Sequence, residues 1–345
     1  MSMTKPKFGP LERRRVFSRH GRLGKAMSAW WLAAVLASAA WGAETPSAAP
    51  LRPADIPAKA IWVAHVDLCR LRGSLAGRSM LAQLDRPEMA LAYASLQSDF
   101  NFDLHQQLRA LTFYSTGTGP GDPVLLVYGD FDPDRIAALA QALNGYRGIR
   151  RGHQTLHSWV RDAKPGKDGA EQRTFAAVFG RGIVIFGQKE TTVGQALGVL
   201  ERSAPGLDLG KEFPQLAVSA TNSLVAAGMH RLELPDANPG SALQRRLKTS
   251  QFRIVEMGRE TTAILTLETD DPTIASEVAI VGKGFAALSK LQKDKPETAA
   301  LAEALTWAQD GAVLKLTATL PSEDVAAWIV KLIAKPFLSP PPPAH

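Results

Sequence analysis

Two hydrophobic periods alternate along the chain. Short apolar or alternating runs predict strands at 60–66, 108–115, 123–128, 153–160, 175–179, 183–186, 224–234, 252–257, 262–267 and 312–320. Helical spacing predicts helices over 74–98, interrupted near Arg86-Pro87, and through Ile136, Leu139, Ala140 and Leu143. Further helices follow through Val193, Leu197 and Leu200, then through Ile274, Val278, Val281, Phe285 and Leu288. The last are expected at 297–307 and through Val325, Trp328, Ile329 and Leu332. Two corners are built alike. Leu125 to Tyr128 passes through Gly129-Asp130-Phe131 into Asp132-Pro133, and Ile264 to Leu267 passes through Glu268-Thr269-Asp270 into Asp271-Pro272. An Asp before the first helical residue can accept the free N–H groups of the first turn. A Pro just after it loses no hydrogen bond, because that N–H has no partner in a helix.

The likeness extends beyond the corners. Phe179-Gly180-Arg181-Gly182 before Ile183–Phe186 parallels Gln309-Asp310-Gly311-Ala312 before Val313–Leu316, and each is followed by a polar turn and a helix. Each half reads strand, hairpin, Asp-Pro helix, strand, helix. Hairpins followed by helices predict an α+β fold of two tandem related halves, each an antiparallel sheet with helices packed on one face. The divisions are a signal peptide or N-terminal anchor at 1–43, a Pro/Ala-rich leader at 44–57, a first repeat at 58–202 and a connector at 203–221. A second repeat at 222–335 and a Pro-rich tail at 336–345 follow.

Charge changes the picture only at the N-terminus. Of 40 Lys and Arg and 33 Asp and Glu, residues 1–43 hold eight and one, so the remainder is neutral. The high pI therefore belongs to that segment, and nucleic acid is not an expected partner. Its basic stretch precedes an uncharged run over 26–43 that ends in small residues, which is the order of a secretory signal. Cleavage after Ala40 or Gly42 places small residues at both recognition positions. If the run is retained instead, it anchors the chain in the inner membrane, and membrane contact is expected only in that case. Cys69 is the only cysteine, which rules out an intramolecular disulfide and a cysteine-based metal cluster.

Few residues suggest chemistry. His65 and Asp67 lie two apart on the first expected strand and so share a face, the placement that a general base and its orienting carboxylate need. A plainer role for Asp67 is to cap the following turn. His153, His157 and Trp159 share a face of another expected strand and offer a polar-aromatic surface for a ligand. On a strand the two histidines lie about 13 Å apart, too far to share a zinc ion. Gly117-x-Gly119-x-Gly121 falls between two strands, whereas phosphate loops lead from strand to helix. The basic group Arg147, Arg150, Arg151, Arg161, Lys164 and Lys167 is diluted by Asp162 and Asp168 and reads as a solvated loop. No metal and no cofactor is expected.

Ile56-Pro57-Ala58-Lys59-Ala60, the strand ending in His65-Val66-Asp67-Leu68, and then Leu71 and Ser74 resemble the opening of a broad group of exported bacterial two-repeat proteins known only as domains of unknown function. That resemblance implies an extracytoplasmic α+β protein and supplies no catalytic residues. The expectation is an exported, periplasmic or secreted envelope protein, a non-enzymatic binding or structural module for an unknown protein or envelope ligand. The alternatives are a hydrolase with an unrecognised His/Asp site and a membrane-anchored sensor or assembly factor.

Overall fold

The structure is a computed structural model and describes residues 48–82, 107–119, 121–161, 171–217, 222–231, 245–292 and 295–329. The export segment at 1–43, the helix expected over 83–98, most of the loop at 162–172 and the Pro-rich tail at 336–345 lie outside those residues.

The first half contains β1 (Trp62–Asp67), α1 (Leu68–Gly73), α2 (Leu75–Leu81), β2 (Leu108–Ser115), β3 (Val124–Gly129) and α3 (Pro133–Gln141). It continues with β4 (Arg147–Arg151), β5 (Gln154–Val160), β6 (Arg173–Phe179), β7 (Ile183–Gly187) and α4 (Glu190–Leu200). The connector folds into two short helices, α5 (Leu209–Glu212) and α6 (Pro214–Ala217). The second half contains β8 (Val225–His230), β9 (Leu247–Met257), β10 (Glu260–Thr269), α7 (Pro272–Lys290), α8 (Pro296–Ala304), β11 (Leu305–Asp310) and β12 (Val313–Pro321), and a last helix covers 322–329.

The fold is α+β. Its strands form one antiparallel twelve-stranded sheet in the order β11-β12-β10-β9-β8-β1-β2-β3-β7-β6-β5-β4. Outward from the central β1–β8 pair, each half uses the same order: three successive strands, then the last strand, then the one before it. The half-sheets therefore join edge to edge, with Ala64 opposite Ala227 at the seam. The first half is longer by the β4–β5 hairpin. β4 carries Arg147, Arg150 and Arg151 on an exposed edge, and charge on an edge strand discourages pairing with another chain.

Both repeated corners behave as their sequences dictate. Asp132 accepts the N–H groups of Asp134 and Arg135, and Asp271 accepts those of Thr273 and Ile274. The later turns also match: Gly180 and Gly311 both adopt positive φ, at 58° and 55°. There β6 returns into β7 and β11 into β12, a backbone conformation that glycine adopts without steric cost.

Burial differs between the faces of the sheet. One face of the first half packs Val63, Ala110, Leu126, Ile183 and Ile185 beneath Val193, Ala196 and Leu197 of α4. The other face packs Leu111, Val127 and Val184 against Leu68 and Leu71 of α1 and Ile136 of α3. Helices thus lie on both faces of the first half. The helices after the two Asp-Pro corners, α3 and α7, lie on the same face. The halves are also tied by polar contacts. Glu256 of β9 accepts the N–H groups of Leu75 and Ala76 at 2.5 and 3.1 Å, and so caps α2 of the other half. Gln251 of β9 does the same for Gln215 and Leu216 of α6.

α7 departs from the expected pattern. Of the stripe Ile274, Val278, Val281, Phe285 and Leu288, Val278 is buried, but Val281, Phe285 and Leu288 are 50%, 66% and 61% exposed. The helix faces the sheet instead through Ala275, Val278 and Ala279, and through Gly282, which lies against the Trp307 ring. The small residues let the helix axis approach β11 closely, and the large ones then point outward. The caps give a stability test: Asp132→Ala and Asp271→Ala should each lower unfolding free energy by about 1 kcal/mol in urea titrations. Because the two corners lie on different half-sheets, the double variant should show the sum.

Candidate functional site

β1 lies between β2 and β8, and its polar residues are fully enclosed. His65 and Asp67 do share a face, and both bind the same residue of the leader. Nε2 of His65 lies 2.9 Å from the Ala49 carbonyl, and Oδ2 of Asp67 accepts the Ala49 N–H at 3.0 Å. A carbonyl only accepts, so Nε2 carries the proton, and Nδ1 accepts from the Thr112 hydroxyl at 2.8 Å. Asp67 also accepts the Arg70 N–H at 2.9 Å and so caps α1. Both ring nitrogens of His65 are occupied, and the imidazole has no free edge to offer a substrate. Burial holds the His65 imidazole down to about 4, below its ordinary 6.5. Burial likewise pushes the Asp67 carboxyl up, against the pull of the Arg70 and Ala49 N–H groups.

The other candidates lie far away. His153 belongs to the β4–β5 turn and is exposed, because β5 begins one residue later. His157 is buried on β5, and its Nδ1 lies 3.2 Å from the Tyr146 hydroxyl. Trp159 is half-buried two residues on. Five strand spacings separate β5 from β1, about 24 Å, and Leu156 faces the α4 side, which turns His157 and Trp159 to the other face from His65. The two groups do not converge. Among the described residues, no three His, Cys, Asp or Glu side chains gather as metal ligands. Cys69 is buried as a free thiol.

The strap that His65 and Asp67 hold in place forms one wall of a cavity. Ala49, Leu51 and Ile56 of the leader are buried in the core beneath α4, so this stretch is packed rather than loosely extended. Next to Ala49 lies a cavity of about 280 Å³ lined by Pro50, Arg52, Arg109, Tyr128, Phe179 and Arg181, with Ala110 and Ile183 at its floor. The register of the sheet builds this floor: Asp67 faces Ala110, Ala110 faces Tyr128, Tyr128 faces Ile183, and Ile183 faces Phe179. Arg109 sits where the β2–β3 register shifts between Leu108 and Ala110, a bulge that re-aims its side chain. Arg181 sits in the β6–β7 turn, and the Arg52 guanidinium lies 5.3 Å from the centre of the Tyr128 ring. None of these arginines stands out in the sequence. They come from a leader, a bulge and a turn, and only the fold brings them together.

No protein family matches the chain, and no curated protein matches it. Crystal forms III, I and IV of TP0453 are similar in fold, with TM-scores of 0.46, 0.43 and 0.44 and 12% identity in each case. The matches cover 83%, 82% and 84% of this chain and 99%, 98% and 100% of TP0453.

The buried imidazole makes stability pH-dependent. Between about 4 and 6.5 the unfolded chain binds a proton at His65 that the folded chain does not. This contribution is complete above 6.5 and is lost as pH falls towards 4, a total of about 3 kcal/mol. Asp67, shifted upward, acts in the opposite sense: its contribution fades as pH rises through its folded value. His65→Gln isolates the histidine. Between pH 7 and pH 4 the wild type should lose up to about 3 kcal/mol more than the variant, measured by urea unfolding at each pH.

Proposed function

We propose that the protein is an exported, non-enzymatic envelope module that rests on an anionic membrane surface through the outward face of α7. The rotated seating of that helix, which buries Val278 but leaves the later large apolar residues outside, carries the reading. Ile280, Val281, Phe285, Leu288 and Leu291 are 70%, 50%, 66%, 61% and 75% exposed, whereas the inward side is largely Ala and Gly. An exposed apolar stripe of this size marks an interaction surface. Burying a large apolar side chain releases about 1.5–3 kcal/mol, so a few such residues give useful binding.

Charge favours a lipid surface as the occupant. From Val278 to Lys293 there is no acid, while Lys283 and Lys290, seven residues apart, run exposed along one border of the apolar face. A basic flank beside an apolar face suits an interfacial helix on anionic lipid. At 19 residues α7 is about 28 Å long, yet among the described residues no helix is long and apolar enough to cross a membrane. The reading is therefore a helix lying on the surface. The basic N-terminal segment leads the chain to the same surface whether it is cleaved or retained. His65 and Asp67, both engaged with Ala49, support a non-enzymatic module.

Flotation with lipid vesicles tests this. The mature chain from Ala43 should float with phosphatidylglycerol-containing vesicles and much less with pure phosphatidylcholine. Phe285→Asp with Leu288→Asp should abolish flotation, with far-UV circular dichroism unchanged. Failure of the wild type to float, or equal flotation of the double variant, contradicts the proposal.

A further inference from the structure

The cavity beside the leader faces the opposite side of the sheet from α7, and nothing in the membrane reading uses it. Three arginines, Arg52, Arg109 and Arg181, line one concave space of about 280 Å³. Among the described residues, Asp130 lies 4.0 Å from Nε of Arg181, with both side chains largely exposed, and Asp55 accepts the hydroxyl of the cavity's Tyr128 at 3.4 Å. The buried acid close by, Asp55, is already held by Arg202 at 2.9 Å. Below the arginines the surface is apolar and aromatic, made of Ala110, Tyr128, Phe179 and Ile183. Like charges gathered on a concave wall focus a positive field into it, and a guanidinium fork fits a phosphate or carboxylate with two parallel hydrogen bonds. The volume is just below the usual range of about 300–1,000 Å³ for small-molecule pockets, which limits the ligand to a small one.

We propose that this cavity binds a small phosphorylated ligand whose apolar body lies on Tyr128, Phe179 and Ile183 while its phosphate meets Arg52, Arg109 and Arg181. Each component is set by the backbone. The strap that positions Arg52 is anchored one turn earlier by His65 and Asp67 through Ala49. Arg109 is aimed by the bulge in β2. Arg181 is offered by a turn whose Gly180 takes positive φ. The backbone positions are therefore fixed before binding, and the ordering cost that remains is that of the exposed arginine side chains. The same phosphate chemistry is available from a soluble organic phosphate or from a lipid headgroup, and the probes below separate the two.

The full chain is titrated with phenyl phosphate, with a short-chain monomeric phosphatidate and with phenol, and binding is followed by calorimetry. Either phosphate should bind, phenol should not, and the tighter of the two phosphates identifies the source. Arg52→Gln and Arg109→Gln should each weaken the phosphates by about tenfold or more, the loss expected for one charge-assisted contact. Arg147→Gln, which removes the same charge on exposed β4, should leave binding unchanged. The proposal is overturned if neither phosphate binds at millimolar concentration, if phenol binds as well as phenyl phosphate, or if Arg147→Gln weakens binding as much as the pocket variants. Unchanged melting temperatures in the variants distinguish lost binding from lost folding.

Discussion

The requirement that buried polar groups be satisfied inside the protein governs this structure most directly at β1. That strand pairs on both sides and lies under packed residues on both faces, so water does not reach His65, Asp67 or Thr112. Leaving such groups unpaired costs about 1–3 kcal/mol each. One leader residue resolves much of the problem: the Ala49 carbonyl takes the His65 proton, and the Ala49 N–H goes to Asp67. Consequences spread from there. The leader is fixed as a strap and forms a wall of the arginine-lined cavity. Asp67 starts α1 with its other oxygen. The same β1 pairs with β8 and makes one sheet of two halves.

α7 shows a second constraint acting in the opposite direction. A helix seats most closely where its side chains are smallest, and Ala275, Ala279 and Gly282 give it that seat beside Trp307. The cost is a stripe of large apolar residues facing outward. A protein with no use for such a surface gains by turning the helix or by placing polar residues there. The orientation of α7 is the observation on which the proposed membrane contact rests. The cavity on the other side of the sheet is independent of it, being shaped by strand register and a bulge.

What the sequence made legible was local. Asp67, Asp132 and Asp271 could be read as helix caps because a cap and its N–H partners lie within three residues of each other. The hairpin at Gly180-Arg181-Gly182 could be read for the same reason, and Gly311 only as its parallel in the second half. The related order of the two halves followed from matching successions of such signals. Non-local features were not legible. The β1–β8 seam joins residues more than 150 positions apart, and no pattern announces it. β4, with Arg-Gly-Ile-Arg-Arg, has no apolar alternation because it is an exposed edge. Residues 305–307 read as the end of a helix, yet they open β11, which pairs with β12. The stripe on α7 is legible, but only its start, Ile274 and Val278, faces the core, while Val281, Phe285 and Leu288 lie outside, since periodicity shows that a helix has a face without showing how far it is turned. The cavity arginines carry no spacing at all.

The central structural claim is that His65 is a buried, neutral clamp on the leader. Nitrogen-15 NMR of histidine-labelled protein tests this most directly, because it reports both charge and tautomer. The account predicts that at pH 5.5 His65 is neutral, with its proton on Nε2 and Nδ1 acting as acceptor. A protonated ring at that pH, or a neutral ring with its proton on Nδ1, would contradict it.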